Sequence, residues 1–156
     1  MNDPVNILPL IVAQYDGTIV EGKLNGKGKL ALSNSYTYTG DFVDGQAEGY
    51  GTESYSSGNR FIGIYSHGDR NGHGTWYFDN GDKMQSEFKN DKKLDGFIVY
   101  DWASGDHFEG YEVNNEASGH GFLIDRTGKH EGDWIKGVLT IGTMTYSIHP
   151  INKPLR

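Results

Sequence analysis

A chain of 156 residues with 14 basic and 21 acidic side chains carries a formal charge of −7, which disfavours nonspecific binding to nucleic acid or anionic lipid, since both need a positive surface. No cysteine is present, so disulfides, thiolate nucleophiles and cysteine-based zinc sites are excluded. Glycine is the outlier, at 23 residues against a usual share of roughly 7%, and with 13% aromatics and four prolines the composition is that of turn-rich, folded β-structure rather than a disordered chain.

In chain order, residues 1–14 form an N-terminal capping segment. Its apolar run, Ile7 to Ala13, is interrupted by Pro9 and is too short to span a bilayer. Asp3 is the only charge before it, so the basic leader of a signal peptide is missing. With no cysteine as well, an intracellular, cytoplasmic location is the expectation.

From Tyr15 onward the chain repeats. An aromatic followed two residues later by glycine occurs at Tyr15/Gly17, Tyr38/Gly40 and Phe61/Gly63. A further glycine falls seven beyond the aromatic, at Gly22, Gly45 and Gly68. A glycine pair follows at Gly26/Gly28, Gly49/Gly51 and Gly72/Gly74, and the units close at Ser35, Gly58 and Gly81. A fourth unit starts near Met84 with Ser86 and Asp91 in place of its first two glycines. It carries one extra residue before Gly96, has Ile98 where the second glycine of the pair belongs, and closes at Gly105. The fifth recovers the pattern at Phe108, Gly110, Asn115, Gly119, Gly121 and Gly128, and a sixth begins at His130 with Gly132, Trp134 and Gly137. The seventh-position series Gly, Gly, Gly, Asp, Asn, Gly contains residue types that tolerate a left-handed backbone.

Each unit reads as a β-hairpin. The strands alternate, as in Tyr38-x-Gly40-x-Phe42 and Gly74-x-Trp76-x-Phe78, which puts rings and glycines on one face. A glycine there lets a neighbouring ring lie against bare backbone. No apolar stripe of helical period is present, so little or no helix is expected.

An aromatic, x, Gly, then four residues, Gly, three residues, Gly-x-Gly and a closing Gly in a 23-residue period resembles the MORN repeat, over about residues 15–142. The resemblance implies an all-β fold: a single elongated, twisted antiparallel sheet, one hairpin per repeat, with an aromatic-rich face. Units are expected to start near 15, 38, 61, 84, 108 and 130, with residues 143–156 as a C-terminal cap or tail. In that family the repeats serve as scaffolding, protein-binding and dimerisation elements, often beside an enzyme domain for which this sequence has no room. Phosphoinositide or membrane binding has been ascribed to some members.

The chemistry that could compete with this reading is thin. Gly17 to Lys23 nearly matches a P-loop, but Leu24 stands where Ser or Thr must meet magnesium, and the same glycine spacing recurs without the lysine. No histidine pair has a metal-binding spacing; His73 and His120 occupy the same repeat position and read as half-exposed turn residues. Asp79 to Asp82 lacks the spacing of a calcium loop and reads as a hairpin turn. Asp16, Glu109 and Glu131 share the position after the leading residue and should be solvated on the face opposite the rings. Glu53 falls where Leu30, Trp76 and Leu123 fall in their units, and the expectation is a wet carboxylate near an open end of the sheet. Catalytic residues, metal and cofactor are not expected.

The aromatic stripe is the main constellation: Tyr38, Phe42, Tyr55, Phe61, Tyr65, Trp76, Phe78, Phe88, Tyr100, Trp102, Phe108 and Trp134. It is either simply the core or, because a single-layer sheet has no second layer to cover it, in part an open groove for a partner protein or peptide. A partner helix or peptide in the groove, or a homodimer formed through sheet ends at Ile7–Ala13 and Gly137–His149, are the two forms of that reading. The alternative is a peripheral membrane adaptor binding phosphoinositides through Lys23, Lys27 and Lys29. A weaker alternative is a small enzyme built around Glu53 or the histidines.

Overall fold

Strand alternation and six glycine-type turns dictate a meander, and the computed structural model, which describes residues 12–148, has that architecture. Fourteen strands follow one another: β1 Val12–Val20, β2 Lys23–Leu32, β3 Thr37–Val43, β4 Gln46–Ser54, β5 Arg60–Ser66, β6 Asp69–Tyr77, β7 Lys83–Lys89, β8 Lys92–Lys93, β9 Gly96–Asp101, β10 His107–Val113, β11 Glu116–Asp125, β12 Gly128–Ile135, β13 Val138–Ile141 and β14 Met144–Ser147. All lie in one antiparallel sheet in sequence order, with the two-residue β8 paired to β7 beside the main path. No helix occurs among the described residues. Residues 7–11 of the expected capping run lie outside them, and Val12 and Ala13 already belong to β1.

The hairpin turns are two-residue loops in which both residues have positive φ: Glu21/Gly22, Asp44/Gly45, His67/Gly68, Asn90/Asp91, Asn114/Asn115 and Lys136/Gly137. Such turns match the right-handed twist of the flanking strands. The seventh-position series therefore marks the second turn residue. The first, where Glu21, His67 and Lys136 also adopt φ near 50°, has no residue-type signature.

The glycine pair divides into two roles. Its first member sits at a break in register, as between Gly63↔Gly74 and Tyr65↔Arg70, where Gly72 adopts φ 110°; a bulge of this kind calls for glycine. The second member faces the unit's leading glycine across the strands, as Gly28 faces Gly17, Gly51 faces Gly40, and Gly74 faces Gly63. A Cβ on Gly74 would come within 2.2 Å of the Phe61 ring, and one on Gly51 within 2.3 Å of the Tyr38 hydroxyl. The leading ring thus lies flat over a glycine–glycine rung.

The core is the ring face itself. Tyr38, Phe42, Phe61, Tyr65, Trp76, Met84, Phe88, Ile98, Tyr100, Phe108, Leu123, Trp134 and Leu139 are buried there. Successive repeats cover each other's rings, largely edge to face: Tyr38 meets Phe42 at 5.1 Å and Tyr65 at 5.0 Å, and Phe61 meets Phe88 at 5.0 Å. Such contacts add about 0.5–1.5 kcal/mol each beyond area burial. A single twisted layer whose rings bend over its own glycines hides most of the face without a second layer.

Candidate interaction face

Nine of the twelve stripe residues are buried: Tyr38, Phe42, Phe61, Tyr65, Trp76, Phe88, Tyr100, Phe108 and Trp134. Tyr55, Phe78 and Trp102 are half-buried at the margin of the core, together with Tyr36, which the sequence reading passed over. Tyr55, Phe78 and Trp102 occupy one position, each directly after the last strand of its repeat (β4, β6 and β9). The same two backbone bonds clamp each of them. Tyr55 N donates to Asn59 O and Tyr55 O accepts from Gly58 N, and equivalent pairs hold Phe78 with Asp82 and Gly81, and Trp102 with Asp106 and Gly105, all at 2.9–3.0 Å.

One buried ring bridges each pair of marginal rings. Trp76 lies 5.6 Å from Tyr55 and is stacked 6.3 Å from Phe78, and Tyr100 lies 6.2 Å from Phe78 and 4.6 Å from Trp102. Tyr36 meets Tyr55 edge-on at 5.4 Å. The result is a continuous row of rings along the margin formed by the turns between repeats.

Glu53 corrects a sequence-based expectation. It is 8% exposed rather than wet, inside β4 rather than at a sheet end. The Tyr36 hydroxyl donates to Glu53 Oε1 at 2.7 Å and the Tyr55 hydroxyl to Oε2 at 3.0 Å. Arg70 Nε stands 3.8 Å from Glu53 Oε2 and 3.0 Å from Asp91 Oδ1, with its guanidinium over Phe61 and Trp76. Burial, reinforced by the Glu53 charge, drives the Tyr36 and Tyr55 hydroxyls well above the usual phenol range, so both remain donors. With its carboxylate hydrogen-bonded by two hydroxyls and paired with a guanidinium, Glu53 ties the aromatic margin to the core. Arg70 was legible only as a charge at a register position otherwise held by Leu24, Ala47, Ala117 and Leu139. Lys93 occupies that same position one unit later and forms an ion pair with the fully buried Glu112.

The remaining candidates sit on surfaces or in turns. Lys23 and Lys27 pair with Asp44 and Asp41 at 3.7 and 3.3 Å, and Lys29 lies in register with Asp16. His73 and His120 lie on strands, not in turns; Nδ1 of His73 is 2.6 Å from Glu87 Oε1, and His120 is 3.4 Å from both Glu131 and Asp133. His107 sits between Asp101 Oδ1 at 2.5 Å and Glu109 Oε1 at 3.0 Å. Among the described residues no group of three or more histidines and carboxylates is placed to hold a metal ion. Asp82, in the Asn-Gly turn, is buried and accepts from the Tyr100 hydroxyl at 2.8 Å and Ala103 N at 2.9 Å; its role is to fasten one turn to the next. No helix among the described residues is long and apolar enough to cross a membrane.

Comparison with known proteins bears on the repeat itself. Residues 15–35, 38–60 and 61–83 match the MORN repeat, with the unit starts that the aromatic spacing predicts. No curated protein matches the chain. The solved structures similar to it include the TCP domain of SAS-4 (dCPAP) from Drosophila melanogaster, in complex with a proline-rich motif of Ana2 (dSTIL), at 14% identity and a TM-score of 0.48 over 70% of this chain. The chain spans 61% of that structure's length. Three matched units in tandem, one hairpin to each and rings seated on glycine rungs make residues 15–83 of this chain an array of MORN repeats.

Proposed function

We propose that the protein is a non-catalytic interaction module that holds a partner protein segment along the half-buried margin of its ring face, on Tyr36, Tyr55, Phe78 and Trp102. The observation that carries the reading is the contrast within the stripe. Nine rings are consumed by mutual burial, whereas these remain partly open and are fixed by repeated turn bonds and by Glu53. Tyrosine and tryptophan in rigid settings are the side chains that most often anchor partners. The buried members of the stripe act beneath them as support.

Affinity capture from the native source tests this, with Trp102→Ala on the margin and Tyr111→Ala on the opposite face as control. Loss of a captured protein with Trp102→Ala alone is the expected result. Loss with Tyr111→Ala and retention with Trp102→Ala would move the site to the other face. A lipid-binding role for Lys23, Lys27 and Lys29 has weaker support, because two of the three are already paired with carboxylates. Assembly through sheet ends is the second form of the reading. It draws on the apolar, exposed Ile141 and Met144 at the β13–β14 end, and light scattering across concentration tests it.

A further inference from the structure

We propose that the occupant of the aromatic margin is a basic, proline-rich segment in the polyproline II conformation, lying across the strands with a proline against each of Tyr55, Phe78 and Trp102 and a basic residue toward Asp125. This rests on the interaction reading above and names the partner's chemistry.

Periodicity carries the first part. Tyr55, Phe78 and Trp102 follow strands β4, β6 and β9, each two strands along the sheet from the last, and the next equivalent position is Asp125, at the end of β11. Strands lie about 4.7–4.9 Å apart, so the rungs recur at about 9.6 Å. A polyproline II helix rises about 3.1 Å per residue with three residues per turn, which places every third side chain about 9.3 Å further on. The mismatch is a few tenths of an ångström per rung. An α-helix advances 5.4 Å per turn and meets no such spacing with its successive turns. The rungs are also preorganised, since the paired backbone bonds at each turn hold them in one geometry. Neither side then orders much on binding, because the polyproline helix is itself preformed.

Charge carries the second part. The series of rungs passes from three rings to a carboxylate. All the hydrogen bonds to Asp125, from Thr127 N, Thr127 Oγ1 and His130 Nε2, go to Oδ1. Donation by Thr127, with help from His130, holds this carboxyl down to about 2, so it is ionised throughout the physiological range. Asp106 lies in the preceding turn, and the whole chain is acidic. An arginine or lysine three residues beyond the last seated proline reaches this end of the row.

The test is anisotropy with a fluorescein-labelled peptide of about fifteen residues carrying proline at every third position and two arginines at one end. Binding is expected, weakened about tenfold or more by Phe78→Leu and Trp102→Leu. These variants keep apolar bulk while removing the flat ring. Asp125→Asn should weaken this peptide several-fold and leave an arginine-free version unchanged. A peptide of identical composition with proline at every fourth position should bind at least severalfold more weakly. Shifts in the nitrogen–proton spectrum of the unsubstituted protein, confined to the Tyr55, Phe78 and Trp102 turns and the Trp102 indole, give the same answer even if a variant fails to fold. Equal binding of the two proline spacings, binding that follows the arginines alone, or no binding would overturn the inference. A basic amphipathic helical peptide is the comparison. If it alone binds and is lost with Trp102→Leu, the interaction face stands and the proline assignment falls. If it binds undiminished by Trp102→Leu, the face itself is wrong.

Discussion

The third repeat and the fourth occupy neighbouring places in one sheet and solve the same packing problem differently. In the third, Phe61 lies over the Gly63–Gly74 rung so closely that no Cβ could intervene. In the fourth, the corresponding positions are Met84, Ser86 and Ile98, all buried. A flexible thioether replaces the flat ring because side chains now stand where the ring would lie. The extra residue before Gly96 is absorbed between β8 and β9, where Leu94 N donates to Glu87 O at 2.9 Å and the hairpin resumes. The lesson is that glycine rungs and large leading rings are one device. Where the glycines go, the ring goes with them, and the sheet continues.

The largest effect should come from the buried charges that the second and third repeats share. Arg70→Met would leave Glu53 buried without its cation, and loss of about 3–5 kcal/mol in urea unfolding is expected. A loss under about 1 kcal/mol would show that the two tyrosine hydroxyls suffice. Next comes Gly63→Ser, which gives the third repeat the residue of the fourth. Its Cβ would meet the Phe61 ring at 2.7 Å and Gly74 Cα at 2.9 Å, so destabilisation of about 1–3 kcal/mol is expected from overpacking. Unchanged stability would separate the ring from its rung. In the fourth repeat, Ser86→Ala should be neutral or stabilising by up to about 1 kcal/mol, because the Ser86 hydroxyl is buried without a partner.

The smallest effect concerns the fifth repeat. Burial pulls His107 down, but hydrogen bonds to Asp101 and Glu109 outweigh it and raise the ring above its ordinary value. A group raised on folding contributes its stability below the unfolded value, near 6.5, and loses it as pH climbs through the folded value. Thermal midpoints should therefore fall slightly from about pH 6.5 upward, and His107→Gln should remove that part of the slope. A slope that survives the substitution would assign it elsewhere.

The sheet was legible because its signals are local. Two-residue turns demand left-handed residues at Gly22, Gly45, Gly68, Asp91, Asn115 and Gly137, and period-two alternation assigns faces without any knowledge of neighbours. The aromatic stripe was legible as a set but not as a site. The repeat register puts Trp76 and Trp102 at different positions of their units, but alternation places both on the ring face and does not say that Trp76, 3% exposed, is buried while Trp102 stays half-buried at the margin. Glu53 was misjudged for the same reason. Its partners Tyr36 and Arg70 lie 17 residues away on either side, in other repeats, and only the strand order brings them to one point.

What the amino-acid sequence by itself determined is the unit: the hairpin, its turns, the ring on its glycine rung, and its recurrence in tandem. Those follow from backbone sterics and side-chain parity within about two dozen residues. Only the tertiary structure decided which rings are consumed by their neighbours and which stay at the margin, and which buried charges find each other. Both depend on distances between repeats, and those are set by the pairing and twist of the whole sheet rather than by any one unit.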